Sequence, residues 1–255
     1  MKKDIVALAA VAAFCCGISP ALAADKPAAA DNKKLVDVLV LEQASSQTGP
    51  MTMTVAKDAV KFTFKKLGIT WLSRGPKWQS YTFNPEAKSI LMREHSTWRD
   101  GLFEMGGSKK HLKQAVQLQL RDRGVKEKIA GYECRKAELY QAPSSPPRLR
   151  EPKKPYVCGY VWIADNFPAP KELLEVMRNL VKVNVTKGMV LKFQTLKAGS
   201  YSSFQDAFET KTIVKAKQAA SFFEPPAGYH PVKSEIQLLM EDSSMDDDYL
   251  KQPKR

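Results

Sequence analysis

"MTMTVAKDAVKFTFK", Met51 to Lys65, decides how the rest of the chain is read. Met51, Met53 and Val55 alternate with threonines; after a short break, Val60, Phe62 and Phe64 alternate with Lys61, Thr63 and Lys65. Successive side chains of a strand point to opposite faces, so this period of two predicts a pair of antiparallel strands with one apolar and one polar face.

The same signal recurs on either side. "VQLQLR" alternates Val116, Leu118 and Leu120 with glutamines, and further strands are expected at 35–43, 69–73, 79–83, 89–94, 132–140, 156–164, 189–196 and 204–217. Turn-forming stretches such as "SSQTGP", "KKLG" and "NPEAK" separate them. "PAPKELLEVMRNLVKV" breaks the pattern: Pro170 suits a first helical turn, and Leu173, Met177, Leu180 and Val181 share one helical face. A weaker helical turn is expected at 96–105. A mainly β (α+β) fold, an antiparallel sheet with a helix over one face, accounts for these elements.

The ends of the chain read differently. "MKKDIVALAAVAAFCCGISPALAAD" sets two lysines before an apolar run too short to span a membrane, followed by Ala21-Leu22-Ala23. Residues 1–23 are expected to be a secretory signal peptide and 24–34 a flexible lead-in. Residues 35–240 are expected to form a single domain and 241–255 a disordered tail. The chain is thereby expected to be exported, to a periplasmic or extracellular site.

Forty Lys and Arg against 27 Asp and Glu give a formal charge of +13, which loss of Lys2, Lys3 and Asp4 lowers by one. A basic exported protein can meet anionic membrane surfaces or acidic polymers, whereas export argues against nucleic acid as the partner. The lysines are dispersed along the chain, as on solvated faces.

Without residues 1–23, the cysteines that remain are Cys134, in "KIAGYECRKAELY", and Cys158. An exported chain with an even pair is a candidate for a disulfide, and two adjacent antiparallel strands could bring the pair together. A Cys134–Cys158 staple is therefore expected, with a pair of reduced buried thiols as the alternative. Neither cysteine has the spacing of a zinc or redox motif. His95, His111 and His230 stand far apart and match no hydrolase, zinc or phosphate motif. No catalytic residue, metal or cofactor is expected. The bulk of the signal is apolar: Met51, Met53, Phe62, Phe64, Trp71, Tyr132, Tyr160 and Trp162 are the candidates for a ligand-facing surface, against the plainer reading of an ordinary core.

The segments "VAKDAVKFTF", "RGPKWQSYTFNPEAKSILMRE", "KIAGYECRKAELY" with "YVWIAD", and "FFEPPAGYHPV" together span most of the chain from Val55 to Val232. They resemble the LolA/LolB-like superfamily of exported proteins, which includes periplasmic lipoprotein carriers and lipid-sensing regulators of envelope stress. The resemblance implies an open antiparallel half-barrel, here of about 8–11 strands with one or two helices covering the concave face. One-faced apolar strands on such a curved sheet, with the excess of positive charge, point to a non-enzymatic protein that holds an acyl chain, a lipid or another apolar ligand, an anionic amphiphile among them, with peripheral contact to an anionic membrane surface. The alternative is an envelope structural or regulatory protein that binds a protein partner or acidic polymer through its basic surface.

Overall fold

The computed structural model describes residues 34–95, 118–144, 151–180 and 187–240. The leader at 1–23, the lead-in up to 33, the helical turn at 96–105, His111, Val116, Val181 and the tail at 241–255 lie outside the described residues.

Six strands come first: β1 (Leu35–Ser45), β2 (Gly49–Val55), β3 (Ala59–Phe64), β4 (Ile69–Arg74), β5 (Gln79–Asn84) and β6 (Ser89–Arg93). Then follow β7 (Gln119–Ile129), β8 (Tyr132–Gln141), β9 (Tyr156–Ala164), helix α1 (Lys171–Leu180), β10 (Met189–Leu196) and β11 (Phe204–Ala219). A 3-10 turn (Ala220–Phe223), the two-residue β12 (His230–Pro231) and helix α2 (Glu235–Met240) complete the order. All twelve strands form one sheet, β12-β6-β5-β4-β3-β2-β1-β11-β10-β9-β8-β7, which is an open half-barrel with β12 and β7 at its edges. Every pairing is antiparallel except that of β12 with β6. The strand beyond the expected number is β12, whose two residues are too few to carry a period.

Local chemistry sets the hairpins. Between β5 and β6, Asn84 Oδ1 accepts from the backbone N–H of Glu86 at 3.0 Å and of Ala87 at 3.3 Å, closing the turn with its own side chain. Ile129 pairs with Tyr132 across a two-residue turn in which Ala130 and Gly131 have φ of 48° and 89°. Both positive values mark a type I′ turn, whose twist matches that of the flanking strands.

The sheet has two apolar faces rather than one. Under α1, Leu39, Leu41, Met51, Met53, Val55, Val60, Phe62, Phe64, Ile69 and Trp71 join Leu173 and Met177 of the helix in one buried cluster. This is the inner face. On the other side, Val38, Ala56, Ala59, Leu72 and Phe83 are covered by Phe223, Phe222 and Tyr229. Lys61, expected on a solvated face, is roofed there: its Nζ lies 3.9 Å from the centroid of the Phe222 ring and donates to Phe222 O at 3.3 Å.

The expected Cys134–Cys158 bridge is not made; both cysteines are free. Arg135 pairs with Ile163 and Leu139 with Gly159, and a bulge between Leu139 and Tyr140 leaves Cys158 out of the pairing. Leu139 is five positions along β8 from Cys134, about 17 Å at strand rise, far beyond the span of a disulfide. The two thiols also face opposite sides. Cys134 lies in the cluster under α1, whereas Cys158 packs against Ala137, Leu139 and Val161 on the other face.

Candidate functional site

The inner face can be followed as rows of paired residues, one per strand. Leu41, Met53, Phe62, Trp71, Thr82 and Leu91 form one row across β1 to β6. Leu39, Val55, Val60, Ser73, Ser80 and Arg93 form the next. The second row therefore grades from aliphatic on β1–β3 to hydroxyl on β4–β5 and guanidinium on β6, while the first stays apolar except at Thr82.

The eight ligand-face candidates converge on this side. Met51, Met53, Phe62, Phe64, Trp71 and Trp162 are buried members of the cluster under α1, and Tyr132 and Tyr160 are partly buried against it. Phe62 and Trp71 meet edge to face at 5.4 Å, and Phe62 stacks on Phe64 at 6.0 Å. Tyr132 meets Phe167, just ahead of α1, at 5.1 Å. Phe62 and Trp71 are fully enclosed at 0% exposure, so they act as a floor and not as an open wall.

Open space begins where the face meets the entry to α1. A cleft of about 590 Å³ lies between the ends of β1, β2 and β11 and the segment Pro168–Ala169–Pro170. Leu39 and Val55 line it, continuous with the buried cluster, and Asp37, Lys57 and Lys215 supply its ionisable groups. Two prolines and the backbone bond from Ala169 N to Phe167 O at 3.0 Å hold the wall segment. Sequence reasoning missed Lys57, Lys215 and the Pro168–Pro170 wall. Their only sequence signal is their position beside strands and a helix start.

Trp162 lies in a charged setting. Its Nε1 donates to Glu127 Oε2 at 2.8 Å, while the ammonium groups of Lys136 and Lys192 lie 4.9 Å and 5.4 Å from the ring. The indole hydrogen bond, helped by Lys136, holds the Glu127 carboxyl below the usual carboxylate range. Burial pushes the Cys134 thiol up to about 11, so it is not an activated nucleophile. Lys192 is matched by Glu209 at 3.2 Å and Asp206 at 3.3 Å. The charges around Trp162 are therefore balanced.

No family model and no curated protein matches the chain. Among solved structures, PNGF-II matches at 12% identity over 80% of this chain and 32% of its own, with a TM-score of 0.36. The Mycobacterium tuberculosis lipoprotein LppX matches at 14% identity over 76% of this chain and 90% of its own, with a TM-score of 0.25. A LolA superfamily protein from Nitrosomonas europaea matches at 10% identity over 77% and 92%, with a TM-score of 0.21. At these TM-scores the likenesses carry no argument about function, and the site is read from this chain's own residues.

Proposed function

We propose that this chain is a non-enzymatic binding protein that takes one apolar chain, of the kind an acyl lipid carries, into the open half-barrel through the cleft beside α1. The observation that carries the reading is the continuity of the cleft with the buried cluster through Leu39 and Val55. Its volume of about 590 Å³ falls within the range of small-molecule sites. Lys57 and Lys215 against Asp37 leave a cationic excess at the rim, which suits an anionic amphiphile and contact with an anionic membrane surface. Among the residues lining the cleft, no nucleophile is paired with a base, which favours binding over chemistry. The leader-like N-terminal pattern supports export.

The test is titration of the protein with a fluorescent long-chain fatty acid. Ala169→Trp places an indole in the cleft from its half-exposed wall and is expected to weaken binding about tenfold or more, with the melting temperature unchanged. Unaltered affinity in folded Ala169→Trp protein would rule the cleft out.

A second reading rests on β7. An edge strand among the described residues, it is exposed along most of its length and carries Arg121, Arg123, Lys126 and Lys128 against Asp122 and Glu127, with Arg123 and Lys126 paired to Glu138 and Glu133; the cationic excess suits an acidic polymer or protein. Capture on an anionic polymer that weakens steeply with salt, by protein that takes up no fatty acid, would favour it.

A further inference from the structure

The polar end of the inner face holds two hydroxyls without a hydrogen-bond partner among the described residues. Ser80 pairs with Ser73 on one side and Arg93 on the other, and Thr82 pairs with Trp71 and Leu91, so Ser80 and Thr82 stand on the inner face beside Arg93. They are 0% and 1% exposed, and their hydroxyl oxygens have no hydrogen-bond partner among the described residues. A buried hydroxyl with no partner has lost its water and gained nothing in return. Two such groups beside a guanidinium make a set of donors that suits an anionic oxygen.

One carboxylate already reaches this place. Glu235 of α2 lies 3.1 Å from Arg93, with side chains only 6% and 9% exposed. Helix α2 is held over β5 and β6 by Leu238, buried with Leu91 and Val232, and by Asn84 Nδ2 donating to Leu238 O at 3.3 Å. The row Leu39, Val55, Val60, Ser73, Ser80, Arg93 joins this spot to the floor of the cleft. At the usual strand separation that is about 24 Å from β1 to β6.

We propose that Arg93, Ser80 and Thr82 form a binding site for the carboxylate or phosphate head of an amphiphile, and that Glu235 occupies the position of that head in the ligand-free protein. The inference rests on the reading of the cleft as the entry for an apolar chain. Binding exchanges one carboxylate for another at Arg93, while the two hydroxyls gain an acceptor. The chain of the ligand lies along the aliphatic part of the row, where Val60, fully enclosed under α1, becomes its contact once α1 yields, while α2 yields the polar end to the head.

The experiment compares a long-chain saturated fatty acid, the uncharged alcohol of the same chain length, and inorganic phosphate, by calorimetry on the full chain. The native protein is expected to prefer the acid to the alcohol by about tenfold, the scale of a charge-assisted hydrogen bond gained. Glu235→Gln removes the internal competitor and is expected to tighten acid binding severalfold. Because breaking a buried pair from one side destabilises a fold, the decisive variant is Arg93→Gln with Glu235→Gln, which leaves two neutral amides. It is expected to bind the alcohol as before and to lose the preference for the acid.

Thr82→Val is expected to lower acid affinity more than alcohol affinity, and so to reduce the preference for the acid. A preference for the acid that survives in the folded double variant overturns the proposal. So does displacement of the acid by an equal concentration of inorganic phosphate, since the site would then recognise a free ion and not a head group. Equal binding of acid and alcohol by the native protein defeats this inference alone. Failure of both to bind defeats the reading of the cleft, and this inference with it.

Discussion

Lys61 shows what a period of two can and cannot say about one side chain. Its place opposite the phenylalanines was legible, but its cover was not, because Phe222 lies 161 residues away in the chain. Burial lowers its pKa below the ordinary lysine value, while the Phe222 ring and carbonyl stabilise the ammonium. Lys61→Met keeps the aliphatic stem and removes the desolvated charge, so a stability change within about 0.5 kcal/mol is expected. Lys61→Ala also loses the packing and is expected to cost about 1–2 kcal/mol, read from urea unfolding. A lysine with a lowered folded pKa is less protonated in the folded than in the unfolded state between the two values. Native stability at this site therefore rises with pH as the solution approaches the unfolded value, a slope that Lys61→Met should abolish.

The cysteines make the complementary point. Strand identity and face period around Cys134 were legible, yet the β8–β9 register was not, since a single bulge moves Cys158 out of line and onto the other face. Both thiols are expected to survive purification in air. Burial raises both thiols, so the order rests on access: brief alkylation at neutral pH followed by peptide mass mapping should label half-buried Cys158 ahead of Cys134, which is 0% exposed. A peptide pair linked through Cys134 and Cys158 would contradict the register.

At the scale of elements, the close approach of β9 to β10 depends on one missing side chain. A Cβ on Gly159 would lie 2.4 Å from Gln194 O, a backbone atom that cannot rotate away. Gly159→Ala is therefore expected to cost more than about 2 kcal/mol in urea unfolding, well above the median for point mutants. The β7–β8 hairpin offers the reverse case. Ala130 holds a φ of 48°, which alanine tolerates poorly and asparagine accepts, so Ala130→Asn should raise stability by up to about 1 kcal/mol. Helix α1 was legible because Leu173 and Met177 repeat at helical spacing, and both are buried against the sheet. Helix α2 was not, because six residues show less than two turns of any pattern and its placement rests on Arg93 and Asn84, over 140 positions earlier.

At the scale of the whole molecule, the meander from β1 to β6 follows chain order and could be read from turn signals alone. The join that makes one sheet, β11 against β1, could not. It pairs the first strand with the eleventh, Leu35 with Ala219, and no local feature in either strand names the other. That join turns two short sheets into a half-barrel and places Lys215 beside Leu39 at the cleft. Alternation foretold that Met51 and Met53 share a face, and likewise Phe62 and Phe64, but not that Tyr132, Tyr160 and Trp162 join them, which depends on the β11–β1 pairing. The cleft was not, because its walls come from β1, β2, β11 and the approach to α1.

Mass spectrometry of the protein purified without detergent, in the native state and again after organic extraction, bears most directly on the claim that this half-barrel holds an apolar chain. The account predicts one acyl-bearing molecule per protein, or uptake to that stoichiometry when a long-chain fatty acid is offered, and loss of both in Ala169→Trp. Folded protein that yields an empty extract and takes up no fatty acid would contradict it.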